Sequence, residues 1–195
     1  MTQTLQPHRI ELEDVVLRPF EATDETAVTE ALRDPDILRW TAGIRTPAEH
    51  RARTWLAPRI DGWARGSAVF AVADAATDYV LATVSVRDVN RVPDQAVVAY
   101  WVSPAARGRR LAARALDAAV QWAFAPAGLG LLRLSLDHAL INEGSCRVAL
   151  RAGFQLEGTM RDYYVEPTGE RHDSHLHARL ATDPAGQPPG ATAGS

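Results

Sequence analysis

The chain has 195 residues, 46% of them hydrophobic and 23% charged, with a formal net charge of −3. That composition describes a globular domain large enough to bury a full core, and it argues against a protein that holds nucleic acid mainly through phosphates, which carries a basic excess. The single cysteine, Cys146, excludes an intramolecular disulfide and suits a reducing, cytoplasmic setting. No apolar run reaches bilayer length, and the first residues lack an apolar signal core, so neither a membrane span nor a secretory signal is expected.

In chain order, residues 15–17 read as a short strand stopped by Arg18-Pro19. Thr23 is placed to cap a helix running to about Leu32, with Asp24 and Glu25 in its first turn. Thr46 and Pro47 begin a second helix that reaches Trp63 and stops near Gly66, and Pro58 inside it predicts a kink or split. Apolar runs at 68–73, 79–87 and 96–102, separated by polar turns, predict an antiparallel meander. The period then changes: Leu111, Ala115, Leu116, Ala119 and Val120 share one face of a helix.

Residues 131–136 follow as a strand and 144–152 as a helix ended by Gly153; 154–156, 163–165 and 172–180 close the sheet. The fold class is α/β (α+β): one domain over 1–182, with a central mixed, mostly antiparallel sheet flanked by helices. Residues 183–195, rich in Pro, Gly and Ala, predict a disordered tail.

Chemistry concentrates where an apolar strand ending in Tyr100-Trp101-Val102 meets the loop Arg107-Gly108-Arg109-Arg110 and the helix opening Leu111-Ala112. A helix start leaves amides unpaired and carries partial positive charge, so it can hold a phosphate. Arg107, Arg109 and Arg110 add cations, and Gly108 lets the backbone approach an anion. A solvated basic helix start is the plain alternative. The loop is neither a Walker loop nor a dinucleotide fingerprint, because the glycines those need are missing.

This segment resembles motif A of GNAT acetyltransferases, Arg/Gln-x-x-Gly-x-Gly/Ala, with Arg107 in the first position, Ala112 in the last and Arg110 in place of the middle glycine. A helical φ at Arg110 would need no glycine, its side chain turning outward or onto a phosphate. Asn142, Ser145 and Gly153-Phe154 resemble the family's second stretch, Asn-x-x-Ser followed by Gly-Phe. Leu17-Arg18-Pro19, the run from Gly158 to Tyr164, and Arg171-His172-Asp173 resemble the RimJ/RimL-like branch. The resemblance implies a GNAT-type domain and acetyl-CoA (coenzyme A) as cofactor. It places Trp101, Val102, Arg107, Gly108, Arg109, Arg110, Leu111, Ala112, Asn142, Ser145 and Arg147 against that cofactor.

By the same resemblance the enzyme is an N-acetyltransferase acting on a primary amine, either a peptide N-terminus or a small molecule. No nucleic acid or membrane partner is implied, and a homodimer is left open. Ser145 is the catalytic residue, donating a proton to the leaving thiolate. Many relatives hold a tyrosine where this chain has Ala149, and the branch often has a glutamate where it has Val97, so the usual acid and base are both absent. Glu143, Asp88, Asp162 and His138 remain as substitutes.

The alternative reading is a non-catalytic acyl-CoA-binding or scaffold domain that has lost its general base. Asp173, His175 and His177 alternate along a strand and read as an exposed polar face, so no metal is expected. Cys146 reads as a small buried residue rather than a nucleophile. Trp40, Trp55 and Trp63 either wall the acceptor pocket or pack the core.

Overall fold

Small and β-branched residues fill Ala68–Asp74, and its side chains are buried on both faces: Phe70 and Val72 enter one apolar cluster, Val69 and Ala71 another. Such a strand can only lie inside a sheet with helices on both sides. The computed structural model, which describes residues 4–41 and 47–184, has that architecture. Its strands are β1 (Ile10–Glu11), β2 (Val15–Pro19), β3 (Ala68–Asp74), β4 (Val80–Asn90), β5 (Gln95–Val102), β6 (Arg133–Ala139), β7 (Gln155–Val165) and β8 (Arg171–Leu180). Its helices are α1 (Glu25–Ala31), α2 (Pro35–Trp40), α3 (Ala48–Ile60), α4 (Leu111–Phe124) and α5 (Glu143–Arg151).

The strands form one mixed sheet in the order β1-β2-β3-β4-β5-β6-β8-β7. Only β5 and β6 run parallel, and α4 makes the crossover between them. The α4 face buries Leu111, Leu116 and Val120 against Phe70, Val84 and Val98, with Ala149 and Phe154 from the α5 region. On the opposite face, α1, α2 and α3 bury Val28, Ile37 and Trp55 against Val69, Ala71 and Trp101.

Several expectations change. Thr23 caps nothing: it lies in a 3-10 turn at Ala22–Asp24, where Asp24 accepts from the Glu21 amide at 2.9 Å. Pro19 does not stop the strand but pairs with Phe70 at its end. Pro58 leaves α3 continuous to Ile60, at the loss of one ladder bond near the C-terminal end of the helix. The third tryptophan of that region, Trp63, lies just past α3 and packs edge-on against Phe70. β1 and α2 were not foreseen, and β7 is one strand where two pieces were read. The cap expected at Thr46 and the tail from residue 185 onward lie outside the described residues. Asp183, assigned to that tail, still accepts from the Leu180 amide at 2.9 Å.

Candidate active site

β5 and β6 begin as neighbours, pairing Gln95 with Arg133, Ala96 with Leu134 and Val97 with Ser135. Beyond that no pairing joins them among the described residues, although β5 continues to Val102 and β6 to Ala139. The sheet therefore opens between two adjacent parallel strands, and the helix starts of α4 and α5 follow their outgoing ends. An opening beyond the carboxyl ends of parallel strands is where open α/β sheets bind ligands.

At the end of β5 the chain turns through Pro104–Ala106 and reaches Gly108 with φ 80° and Arg110 with φ 56°. Both residues are left-handed, two positions apart. The amides of Gly108, Arg109 and Arg110 make no hydrogen bond within the described residues, and a Cβ added at Gly108 would meet nothing within 4 Å. Free amides, open space and exposed Arg109 and Arg110 fit a diphosphate. The helical φ expected at Arg110 is corrected: the residue before the helix is left-handed, which is why a glycine suits this position.

The remaining cradle residues divide by role. Arg107 donates to Asp34 at 2.6 Å and lies 3.5 Å from Asp36, so its charge is engaged by the start of α2. Leu111 is buried and anchors α4, while Ala112 is half-buried at its start. The Trp101 side chain packs against Trp55, 5.7 Å between rings, on the face away from α4, so only its backbone borders the opening. Val102 packs against the α4-side core. Arg147 points along the exposed side of α5 to Glu143, 3.4 Å away.

Asn142 caps α5, accepting from the Ser145 amide at 3.1 Å. Ser145, half-buried, shares a 2.8 Å hydrogen bond with the hydroxyl of Tyr100. Tyr100 lies on the α4 side of β5, in step with Ala96 and Val98. Burial, with a smaller push from nearby Cys146, raises the Tyr100 phenol to about 12 despite its hydrogen bond with Ser145. It therefore stays protonated and can donate to Ser145, leaving the serine proton directed elsewhere.

Ala149 is fully buried and offers no hydroxyl. Tyr100 supplies one from a neighbouring strand instead. The sequence marks Tyr100 as part of an apolar strand, and its parity with Ala96 and Val98 is the signal for the side it faces.

Val97 faces the α1/α3 side, in step with Trp101, and offers no proton acceptor. Among the proposed substitutes, Glu143 is tied to Arg147, while Asp88 and Asp162 are exposed at left-handed positions. His138 is buried on the α5 side of β6. A residue not singled out earlier does stand on the Val97 face: Asp137, two positions past Ser135 and so beside the opening. Burial raises its carboxyl above the ordinary value, with Arg87 opposing.

The Acetyltransferase (GNAT) domain family matches residues 14–155, and the chain belongs to that family of acetyltransferases. Solved structures share the fold at low identity. A ribosomal-protein alanine acetyltransferase from Vibrio fischeri is 21% identical with a TM-score of 0.77, over 90% of this chain and 98% of its own. RimL, a ribosomal-protein α-N-acetyltransferase in complex with coenzyme A, is 20% identical with a TM-score of 0.77, over 89% and 98%. RimJ of Mycobacterium smegmatis, in complex with a CoA disulfide, is 22% identical with a TM-score of 0.76, over 92% and 88%. No curated protein sequence matches the chain significantly. No helix among the described residues is long and apolar enough to cross a membrane.

Proposed function

We propose that the chain transfers an acetyl group from acetyl-CoA to a primary amine, with a peptide N-terminus or a small amine as acceptor. The observation that carries this reading is the parting of β5 from β6 with the Tyr100–Ser145 pair beside it. The free amides of Gly108, Arg109 and Arg110 hold the diphosphate, and the Arg109 and Arg110 side chains add charge. Acetyl-CoA supplies the thioester that the amine attacks. Ser145 donates its proton to the departing thiolate, and Tyr100 orients Ser145 by donating to it. The acceptor enters from the Val97 and Trp101 face, where Asp137 is the carboxylate placed to take the amine proton. An α-amine, with a lower pKa than a lysine side chain, needs less help there. The acceptor classes named for the ribosomal-protein acetyltransferases support a protein N-terminus first among candidates.

Thiol release from acetyl-CoA with a panel of peptides and small amines tests this. Ser145→Ala should lower kcat roughly ten- to a thousand-fold while acetyl-CoA affinity changes little, because the donor acts mainly in the transition state. Wild-type turnover in that variant would remove Ser145 from the mechanism. Tight coenzyme A binding with no turnover of any amine would instead favour a binding-only domain.

A further inference from the structure

One face of β8 does not behave as the exposed polar stripe that its alternation suggests. His177 is fully buried and His138 nearly so, and His175 lies directly across from His138 in the β6–β8 register. Helix α5 closes over them and brings Cys146 into the same group. The four side chains each offer one ligand atom, and all four atoms lie within 4.8 Å of one another. His138 Nε2 and His177 Nε2 face each other at 3.2 Å, and Cys146 Sγ lies 3.9 Å from His177 Nε2.

The nitrogen pair at 3.2 Å has the spacing of a tetrahedral site, and the sulfur contact at 3.9 Å lies a few tenths of an ångström outside it. Zinc bond lengths of about 2.0–2.1 Å to nitrogen and about 2.3 Å to sulfur put ligand nitrogens about 3.3 Å apart, and nitrogen about 3.6 Å from sulfur. One ring is already oriented: His138 Nδ1 lies 2.9 Å from the Ala139 carbonyl, which fixes the proton there and leaves Nε2 as a lone pair. His175 Nδ1 and His177 Nδ1 are buried without any hydrogen-bond partner among the described residues. The two Nε2 atoms can share one hydrogen bond, yet Nδ1 of both β8 histidines is left unpaired in a buried cluster.

We propose that His138, Cys146, His175 and His177 form a four-ligand site for a zinc-type divalent ion. Four protein ligands close the coordination sphere, so the site is structural and leaves no position for a reacting water. The S–H bond of Cys146 breaks on binding, a sulfur–metal bond forms, and the proton goes to solvent. The ion clamps α5 onto β6 and β8, one residue along the helix from Ser145. This inference does not depend on the acetyl-transfer reading.

Cobalt(II) titrated into the untagged full chain, in a thiol-free reductant, is the test. The expected result is one equivalent bound, with intense visible bands of a tetrahedral ion and a thiolate-to-cobalt band in the near ultraviolet. Cys146→Ser, a half-buried and nearly isosteric change, should lose the thiolate band and weaken binding at least tenfold. His175→Gln, which keeps the thiol, should weaken binding similarly while retaining that band. Zinc at about a hundredfold excess over its Kd should raise Tm by roughly 5 °C or more in the wild type and by less in either variant. Absence of tetrahedral bands at stoichiometric cobalt would overturn the proposal, and so would spectra unchanged by Cys146→Ser.

Discussion

At the scale of single residues, Arg110 stands out because its backbone is left-handed immediately before a helix. An L side chain in that region costs about 1–2 kcal/mol, whereas glycine adopts it freely. Glycine also loosens the unfolded chain, which offsets roughly 0.4–1 kcal/mol. Arg110→Gly should therefore raise Tm by a few degrees while weakening coenzyme A binding, more strongly at low salt, because a cation is lost. Thermal melts and binding at two ionic strengths check both halves; a fall in Tm would show that the arginine side chain makes a stabilising contact.

Tyr100→Phe probes the neighbouring pair. It should lower kcat several-fold, less than Ser145→Ala, with KM for acetyl-CoA nearly unchanged, since it acts only through Ser145. The basic loop was legible because its residue types stand together in sequence. The Tyr100–Ser145 bond was not, because it joins residues 45 apart that meet only once β5 and α5 are packed.

At the scale of elements, the short helix α2 is held at its start by Asp34, which accepts from the Ile37 amide at 2.8 Å, and at its end by the β7–β8 hairpin. Glu166, buried beside the hairpin turn, accepts from Arg39 at 2.7 Å and lies 2.7 Å from His172 Nε2. Tyr164 donates to the Arg39 carbonyl, and its ring lies 5.9 Å from that of Trp40. The hydrogen bond from Arg39, and then that from His172, hold the Glu166 carboxyl below its ordinary 4.5 although burial opposes them. A lowered carboxyl binds fewer protons in the folded state than in the unfolded one. Its stabilisation is thus full above about pH 4.5 and disappears as the pH falls through the folded value.

Glu166→Gln should lower Tm at pH 7, and its difference from wild type should shrink as the pH falls below about 4.5. A difference that stays constant across that range would show that charge is not what ties the elements together. α2 escaped the sequence reading because Pro35–Trp40 is too short to show a helical period, and the anchors at its end come from residues more than 120 positions away. α4 was read closely because a full apolar stripe faces the sheet there.

At the scale of the whole molecule, one buried cation joins β2, the turn that leads into α1 and the β3–β4 hairpin. Arg18 is 4% exposed and donates to both oxygens of Asp24, itself 5% exposed, at 2.8 and 2.9 Å, and to Asp78 at 2.8 Å. Removing one partner of such a pair typically costs about 3–5 kcal/mol, because the other charge is left buried. Arg18→Met should lower Tm by at least roughly 6 °C in a domain of this size, and Arg18→Met with Asp24→Leu should recover part of that loss. A double variant no more stable than Arg18→Met alone would mean that the carboxylate is not the source of the penalty.

The meander from β3 to β5 was legible in its alternation of apolar and polar runs. The placement of β8 between β6 and β7 was not, because β8 buries His177 and Arg179, and polar residues signal exposure until their partners are known. Arg179 finds Asp117 at 2.6 Å and the Ala152 carbonyl at 2.7 Å. That placement leaves β7 as the outer strand, and β7 is interrupted twice, between Leu156 and Gly158 and between Met160 and Tyr164, with Asp162 left-handed in the second break. At the far end of the sheet, β1 is two residues long. An unbroken outer strand is a template on which further chains can add and grow into fibrils. With one border fragmented and the other almost absent, this sheet offers no long flat ladder for such growth, which favours a chain that stays dispersed at high concentration.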